Sequence, residues 1–257
     1  QSLVEQYGRQ IGSLRLLARG INPRIVAAVS VKEVDVSTPQ SQAFVFLNTL
    51  SYFLVMAVFV GGAAVIIDAT AGERERDSLE PLLINPVQRW KVVVGKLLAS
   101  LPFAIATVFI SLGTFAAVFN LFPIEDFIGR QLSVDMLAFA NIFLLCLPRV
   151  LLAGAVQMII ATFSHTYKEA QTYVNWLPLV PALPGLVLSF LPVKVTVWAM
   201  LIPTFGQQMI INQLIRGEVV DPLHVVVSTL ATLIVAGILI FVAIHLYSRE
   251  EILFGKT

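Results

Sequence analysis

Residues 72–86 read GERERDSLEPLLINP, the densest run of reactive side chains in the sequence. Glu73, Arg74, Glu75 and Arg76 alternate acid and base, and Glu73 stands three residues before Arg76, a helical ion-pair spacing worth only about 0.2–0.5 kcal/mol. The run is near neutral, so it is not the polybasic cluster that holds anionic lipid. Asp77 or Ser78 can cap a new helix, Glu80 falls in its first turn, Pro81 is tolerated there, and Asn85 with Pro86 ends it. Leu79, Leu82 and Leu83 then share one face. A helix of about two turns cannot stand alone. The membrane surface or the groove of a partner protein can support it, so the chemistry expected here is recognition.

Arg149 follows Pro148 in the middle of an apolar stretch. An intramembrane charge costs at least a few kcal/mol unless paired or hydrated. Arg149 is expected either to line a translocation path or dimer contact, or to bond carbonyls freed by the proline kink. Asn48, Asn141, Gln157 and Asn175 are single amides in apolar runs and serve as interhelical hydrogen-bond donors and acceptors, with a path role as the alternative. Gln207 and Gln208 are stronger path candidates because broken helix surrounds them. Lys96 lies near one end of its stretch, where it can snorkel. His165 and His224 lack partners at ligand spacing, so no metal site is expected. Gly255, Lys256 and Thr257 imitate a phosphate loop, but Glu250 stands where its first glycine is required.

The elements around these residues are set by composition. Of 257 residues 57% are hydrophobic and 13% charged, with mean hydropathy +0.85, which is a membrane composition. Net charge is +1, from 17 basic and 16 acidic residues, so nothing attracts nucleic acid. Cys146, the lone cysteine, excludes an internal disulfide. A spanning helix needs about 20 apolar residues. Five stretches qualify, at about 43–67, 92–119, 136–162, 172–190 and 223–247. A sixth, 195–211, is short and interrupted by Pro203 and Gly206. Pro178, Pro181, Pro184, Pro192 and Pro203 predict broken helix in this region. For 195–211 a re-entrant hairpin and an interfacial helix are both open.

Basic residues orient the chain. Arg74, Arg76, Arg89 and Lys91, then His165 and Lys168, then Arg249 and Lys256 mark connections expected in the cytoplasm. Arg130 among Glu125, Asp126 and Asp135, and the sparse Lys194 and Arg216, mark those expected outside. Residues 1–42 carry Arg9, Arg15, Arg19, Arg24 and Lys32 against this orientation, but longer polar segments cross largely regardless of charge. They read as the tail of an external domain, with a helix ending at Gly20 and a strand through Val29, Val31, Val34 and Val36. Trp90, Trp176 and Trp198 read as interfacial anchors.

The run from Ala71 through Glu73–Arg76, Ser78–Leu83 and on to Pro86 and Val87 resembles the GE(K/R)E-x-x-TLE-x-LL-x-x-P signature of ABC-2 type permeases, with Ser78 in place of the threonine. The resemblance implies an all-α membrane domain of the type V exporter kind. Five of six spans would lie in residues 43–257, with a coupling helix at 77–84 and a re-entrant external element at 195–211. It implies ATPase-coupling roles for Glu73, Arg74, Glu75, Arg76, Asp77, Ser78, Leu79, Glu80, Pro81, Leu82 and Leu83. The partners implied are a cytoplasmic ABC ATPase dimer, which would bind ATP and Mg, and a second permease, identical or not. The first span would precede Gln1. Residues 201–218, LIPTFGQQMIINQLIRGE, are most similar to the NatB group of sodium-efflux permeases.

The function expected is thus the transmembrane subunit of an ATP-driven exporter in a bacterial or archaeal cell membrane, with its C-terminus in the cytoplasm and no cofactor or enzymatic activity of its own. Translocation-path candidates are Asn48, Arg149, Gln157, Gln207 and Gln208. The rivals are an ATP-independent carrier or channel, and a membrane anchor that recruits a soluble protein. An intramembrane enzyme is disfavoured, because no acid pair, His cluster or activated serine lies in the spans.

Overall fold

The computed structural model describes residues 39–78, 87–121, 136–190 and 196–248, with Ile11, Arg15 and 18–20 as isolated positions. The chain divides into two units, Gln1–Ser37 and Thr38–Thr257. In the first, Ile11, Arg15 and Ala18 are helical and Gly20 has φ +71°, the left-handed turn that lets glycine close a helix. The expected strand at Val29–Val36, the connection 122–135, Leu79–Pro86 and the tail after Ser248 lie outside the described residues.

The described part of the second unit is all helical. Helix α1 (Pro39–Val60) leads through Gly61 and Gly62 into α2 (Ala63–Ile67), a π-helical turn (Asp68–Gly72) and the single turn α3 (Glu73–Glu75). Then come α4 (Arg89–Leu121), α5 (Met136–Phe163), α6 (Tyr167–Trp176), α7 (Leu179–Phe190), α8 (Val197–Met200), α9 (Phe205–Ile215) and α10 (Pro222–Tyr247). Among the described residues, four helical stretches are long and apolar enough to cross a membrane: Thr49–Glu75, Arg89–Val118, Leu137–Phe163 and Pro222–Tyr247.

The stretch 172–190, expected as one span, is two helices. Pro178 and Pro181 have no amide hydrogens, so the ladder breaks after α6 and resumes in α7. Thr166 caps α6 by accepting from the Glu169 amide, which fixes the helix start at Tyr167. The first span is also longer than 43–67, since helical backbone runs on to Glu75.

Helix α5 is the centre of the bundle and touches α1, α2, α4, α6, α9 and α10. Leu54, Val55, Val58, Ala104, Val108, Ile142, Cys146, Val150 and Ile210 form the main core. Close packing of α1 on α4 depends on the two glycines. A Cβ on Gly61 would lie 2.9 Å from the Ala104 Cα, and one on Gly62 would lie 2.9 Å from the Ser100 carbonyl oxygen. Gly62 also has φ +76°.

Helix α9 is only 11 residues long, yet Gly206–Asn212 are all buried. It contacts α1, α5, α7, α8 and α10. Entry from α8 requires a sharp reversal, and Thr204 adopts φ +69° there. A Cβ on Gly206 would sit 2.7 Å from the Met200 Cα, so only glycine allows the two helices this approach. Gly217, at φ +67°, closes α9, and Asp221 caps α10 ahead of Pro222.

Candidate functional site: a charged elbow and a buried arginine

The acid and base run forms an elbow in which each charged residue has a different destination. Glu73 Oε2 accepts from Lys96 Nζ of α4 at 2.6 Å, and Lys96 also donates to the Tyr247 hydroxyl of α10 at 2.9 Å. Lys96 lies 5.1 Å from the Tyr247 ring centroid, so the cation meets both the ring and its hydroxyl. Arg74 Nη1 donates to the Thr162 and Ser164 carbonyls at 3.2 and 2.9 Å, satisfying the end of α5. Glu75 Oε2 accepts from the Tyr167 amide at 2.7 Å, at the amino end of α6, where a carboxylate is favoured. Arg76 turns back to Asp68, donating to its carboxylate at 3.0 Å and its carbonyl at 3.3 Å. That hydrogen bond raises the Arg76 guanidinium above its ordinary value.

Two expectations are corrected here. Glu73 and Arg76 do not pair with each other, because the π turn and the neighbouring helices offer each a better-placed partner. Lys96 does not snorkel: it is 8% exposed and ion-paired. Asp77 lies in the turn that follows the elbow. It stands at φ +54° and donates its amide to the Arg74 carbonyl, while the Ser78 amide and hydroxyl both donate to the Glu73 carbonyl. This pattern closes the elbow's C-terminus. Leu79, Glu80, Pro81, Leu82 and Leu83 lie outside the described residues. On the far side of that segment, Arg89 donates to the Ser248 carbonyl at 2.8 Å, so both flanks of 79–86 are tied to the helices.

Arg149 is wholly buried in α5. Its Nε donates to Gln207 Oε1 at 3.1 Å and its Nη2 to the Thr204 carbonyl at 3.0 Å, while Nη1 has no partner. The carbonyl it meets belongs to the reversal before α9, not to the Pro148 kink. Gln208, one residue further round α9, faces α7, where Gly185 leaves space for its amide. Gln157 is elsewhere on α5. It donates to the Phe59 carbonyl at 2.6 Å, where the Gly61–Gly62 interruption loosens the end of α1. The structure therefore joins Arg149 with Gln207, places Gln208 on the adjoining face and leaves Gln157 apart; the Asn48 side chain is outside the described set.

Several residues of these sites escaped the sequence reading: Asp68, Tyr247, Thr204 and Gly185. The one available signal was Lys96, a charge within a long apolar run that calls for a partner.

The profile of the ABC-2 family transporter proteins matches residues 1–245. The chain belongs to the ABC-2 family of transporter proteins. The ABC transporter permease protein NatB of Bacillus subtilis (strain 168) is 29% identical over 245 residues, covering 91% of this chain and 61% of that protein. The chain thus spans about three-fifths of the length of the curated relative it matches. No solved structure gives a significant match. In this ABC-2 chain the elbow lies at the end of the first membrane-capable helix, where it gathers α4, α5, α6 and α10.

Proposed function

We propose that the chain is the permease subunit of an ATP-driven exporter and that the elbow is the joint through which a separate ABC ATPase moves it. The observation that carries this reading is the distribution of bonds from Glu73, Arg74 and Glu75 to α4, α5 and α6, extended to α10 through Lys96 and Tyr247. A push delivered to 79–86 enters at Ser78 and Arg89, and both ends are bonded to the bundle. The segment Leu79–Ile84 would seat in the ATPase, with ATP and Mg held by that partner. Two permeases and two ATPase subunits would form the working unit in a bacterial or archaeal cell membrane. The elbow and C-terminus face the cytoplasm in this reading, and the α8–α9 pair is a re-entrant element entered from outside. Sodium is the cargo implied by the resemblance to the NatB group. Among the described residues, acids within the membrane-capable helices stand only at Asp68, Glu73 and Glu75.

Affinity purification of the full-length protein from its own membranes, with and without Leu82→Asp, tests the proposal. An ATPase subunit is expected with the parent protein and not with the variant. Its absence from both would remove the coupling reading. The buried Arg149 and its amides favour a second reading, an ATP-independent carrier, which transport without ATP would support.

A further inference from the structure

Arg149 is buried completely within Leu137–Phe163, a helix able to span a membrane. A guanidinium keeps its proton at any physiological pH, so its charge must be met and cannot be discharged. An unmet charge in hydrocarbon costs at least a few kcal/mol. The partners of Arg149 are an amide oxygen and a backbone carbonyl, both neutral, and Nη1 has none. Neutral dipoles reduce the cost of a full charge without cancelling it.

The acids of the described residues are engaged elsewhere. Asp68 holds Arg76, Glu73 holds Lys96, and Glu75 accepts from the Tyr167 amide. Glu169 accepts from the His165 amide, Glu218 pairs with Arg216, and Asp221 caps α10. Asp77 is exposed in the turn that closes the elbow. Helices α1, α4, α5, α7, α8, α9 and α10 contain no Asp or Glu. A second copy of this chain would bring the same acid-free helices.

Donors and acceptors both go unmet around α9, where Gln208 Oε1, Asn212 Oδ1 and Gln213 Oε1 are buried without partners. Gln207 Nε2, Gln208 Nε2 and the Ser228 hydroxyl are buried without partners, alongside Arg149 Nη1. Ser228 lies against Gly206, next to Gln207 in sequence, so α10 also adds a hydroxyl to this region. A buried cation with neutral partners, an unmet Nη1 and no acid within its helices favours a negative group beside it.

We infer that Arg149 is the centre of an anion-binding site in the membrane domain, taking one small anionic group as its counter-charge. The group is either a free halide or the carboxylate or phosphate of a transported molecule. The inference stands apart from the exporter reading, because an anion at Arg149 requires no ATPase. A bare cation is repelled from this position, so a cation cargo passes elsewhere or moves with a bound anion.

Thermal unfolding of the purified full-length protein tests it. Sodium bromide, sodium acetate or sodium methyl phosphate replaces sodium gluconate at constant sodium and ionic strength. The unfolding midpoint is expected to rise saturably with at least one of them. Bromide acting identifies a halide site; acetate or methyl phosphate acting without bromide identifies the anionic group of an organic cargo. Arg149→Met should abolish the response, and Arg149→Lys, which keeps the charge but loses the planar fork, should shift it to about tenfold higher concentration. A parent protein indifferent to all three anions overturns the inference. So does an Arg149→Met variant that responds as the parent does, or, if that variant does not fold, an Arg149→Lys response identical to the parent's.

Discussion

Lys96 and Glu73 face each other at 2.6 Å across the junction of α4 and the elbow, with Lys96 almost wholly enclosed and the Glu73 side chain 27% exposed. Taking one partner away leaves the other charge poorly solvated, which is costlier than the pair's own attraction. Lys96→Met or Glu73→Gln should therefore destabilise the protein by about 2 kcal/mol, less than for a fully buried pair because Glu73 reaches water. The double variant should recover most of that loss, as a double-mutant cycle of unfolding midpoints would show. Equal and additive losses would mean that the pair is not coupled.

Gly62 makes a separate, geometric prediction. Alanine there has to accept φ +76° and place its Cβ against the Ser100 carbonyl, a backbone atom that cannot swing aside. Gly62→Ala should cost about 2–4 kcal/mol by combining left-handed strain with a forced separation of α1 and α4. Thermal unfolding in detergent would read it. Gly95→Ala, with open space around its Cβ, is the matched control and should not be destabilised.

Glu75 tests whether the elbow needs a charge or only an acceptor at the start of α6. Its Oε2 takes the Tyr167 amide hydrogen at 2.7 Å. Glu75→Gln keeps an acceptor and should retain most activity, losing about 0.5–1 kcal/mol of helix-end electrostatics. Glu75→Lys puts a cation at the positive end of α6 and should lose both the bond and transport. Transport assays on matched amounts of inserted protein would distinguish the two.

The sequence was informative where composition decides and silent where long-range geometry does. Apolar runs located the helices around Ala104, Ile142 and Ala236 because spanning length and hydropathy are local quantities. The same measure does not show that 172–190 is two helices, since Pro178 breaks a hydrogen-bond ladder without lowering apolarity. Arg149 stood out because a charge in an apolar run is anomalous on any fold. Its partner at Thr204 could not be read, because that carbonyl is exposed by a positive-φ reversal 55 residues away. Glu73 was misassigned to Arg76 for the opposite reason: local spacing favoured that pair, and a lysine 23 residues on won by burial and by the added Tyr247 contact.

In the proposed coupling, the elbow carries motion from an ATPase into α4 and α10. Spin labels at Asp77 and at Leu223, on the far end of α10, would report it by pulsed distance measurement in a Cys146→Ala background. The complex with its ATPase would be compared free of nucleotide and trapped after ATP binding. The distance distribution should shift on trapping in the parent protein, and Lys96→Met should abolish the shift while the ATPase remains bound. An unchanged distribution in the parent, or an equal shift in Lys96→Met, would contradict that coupling.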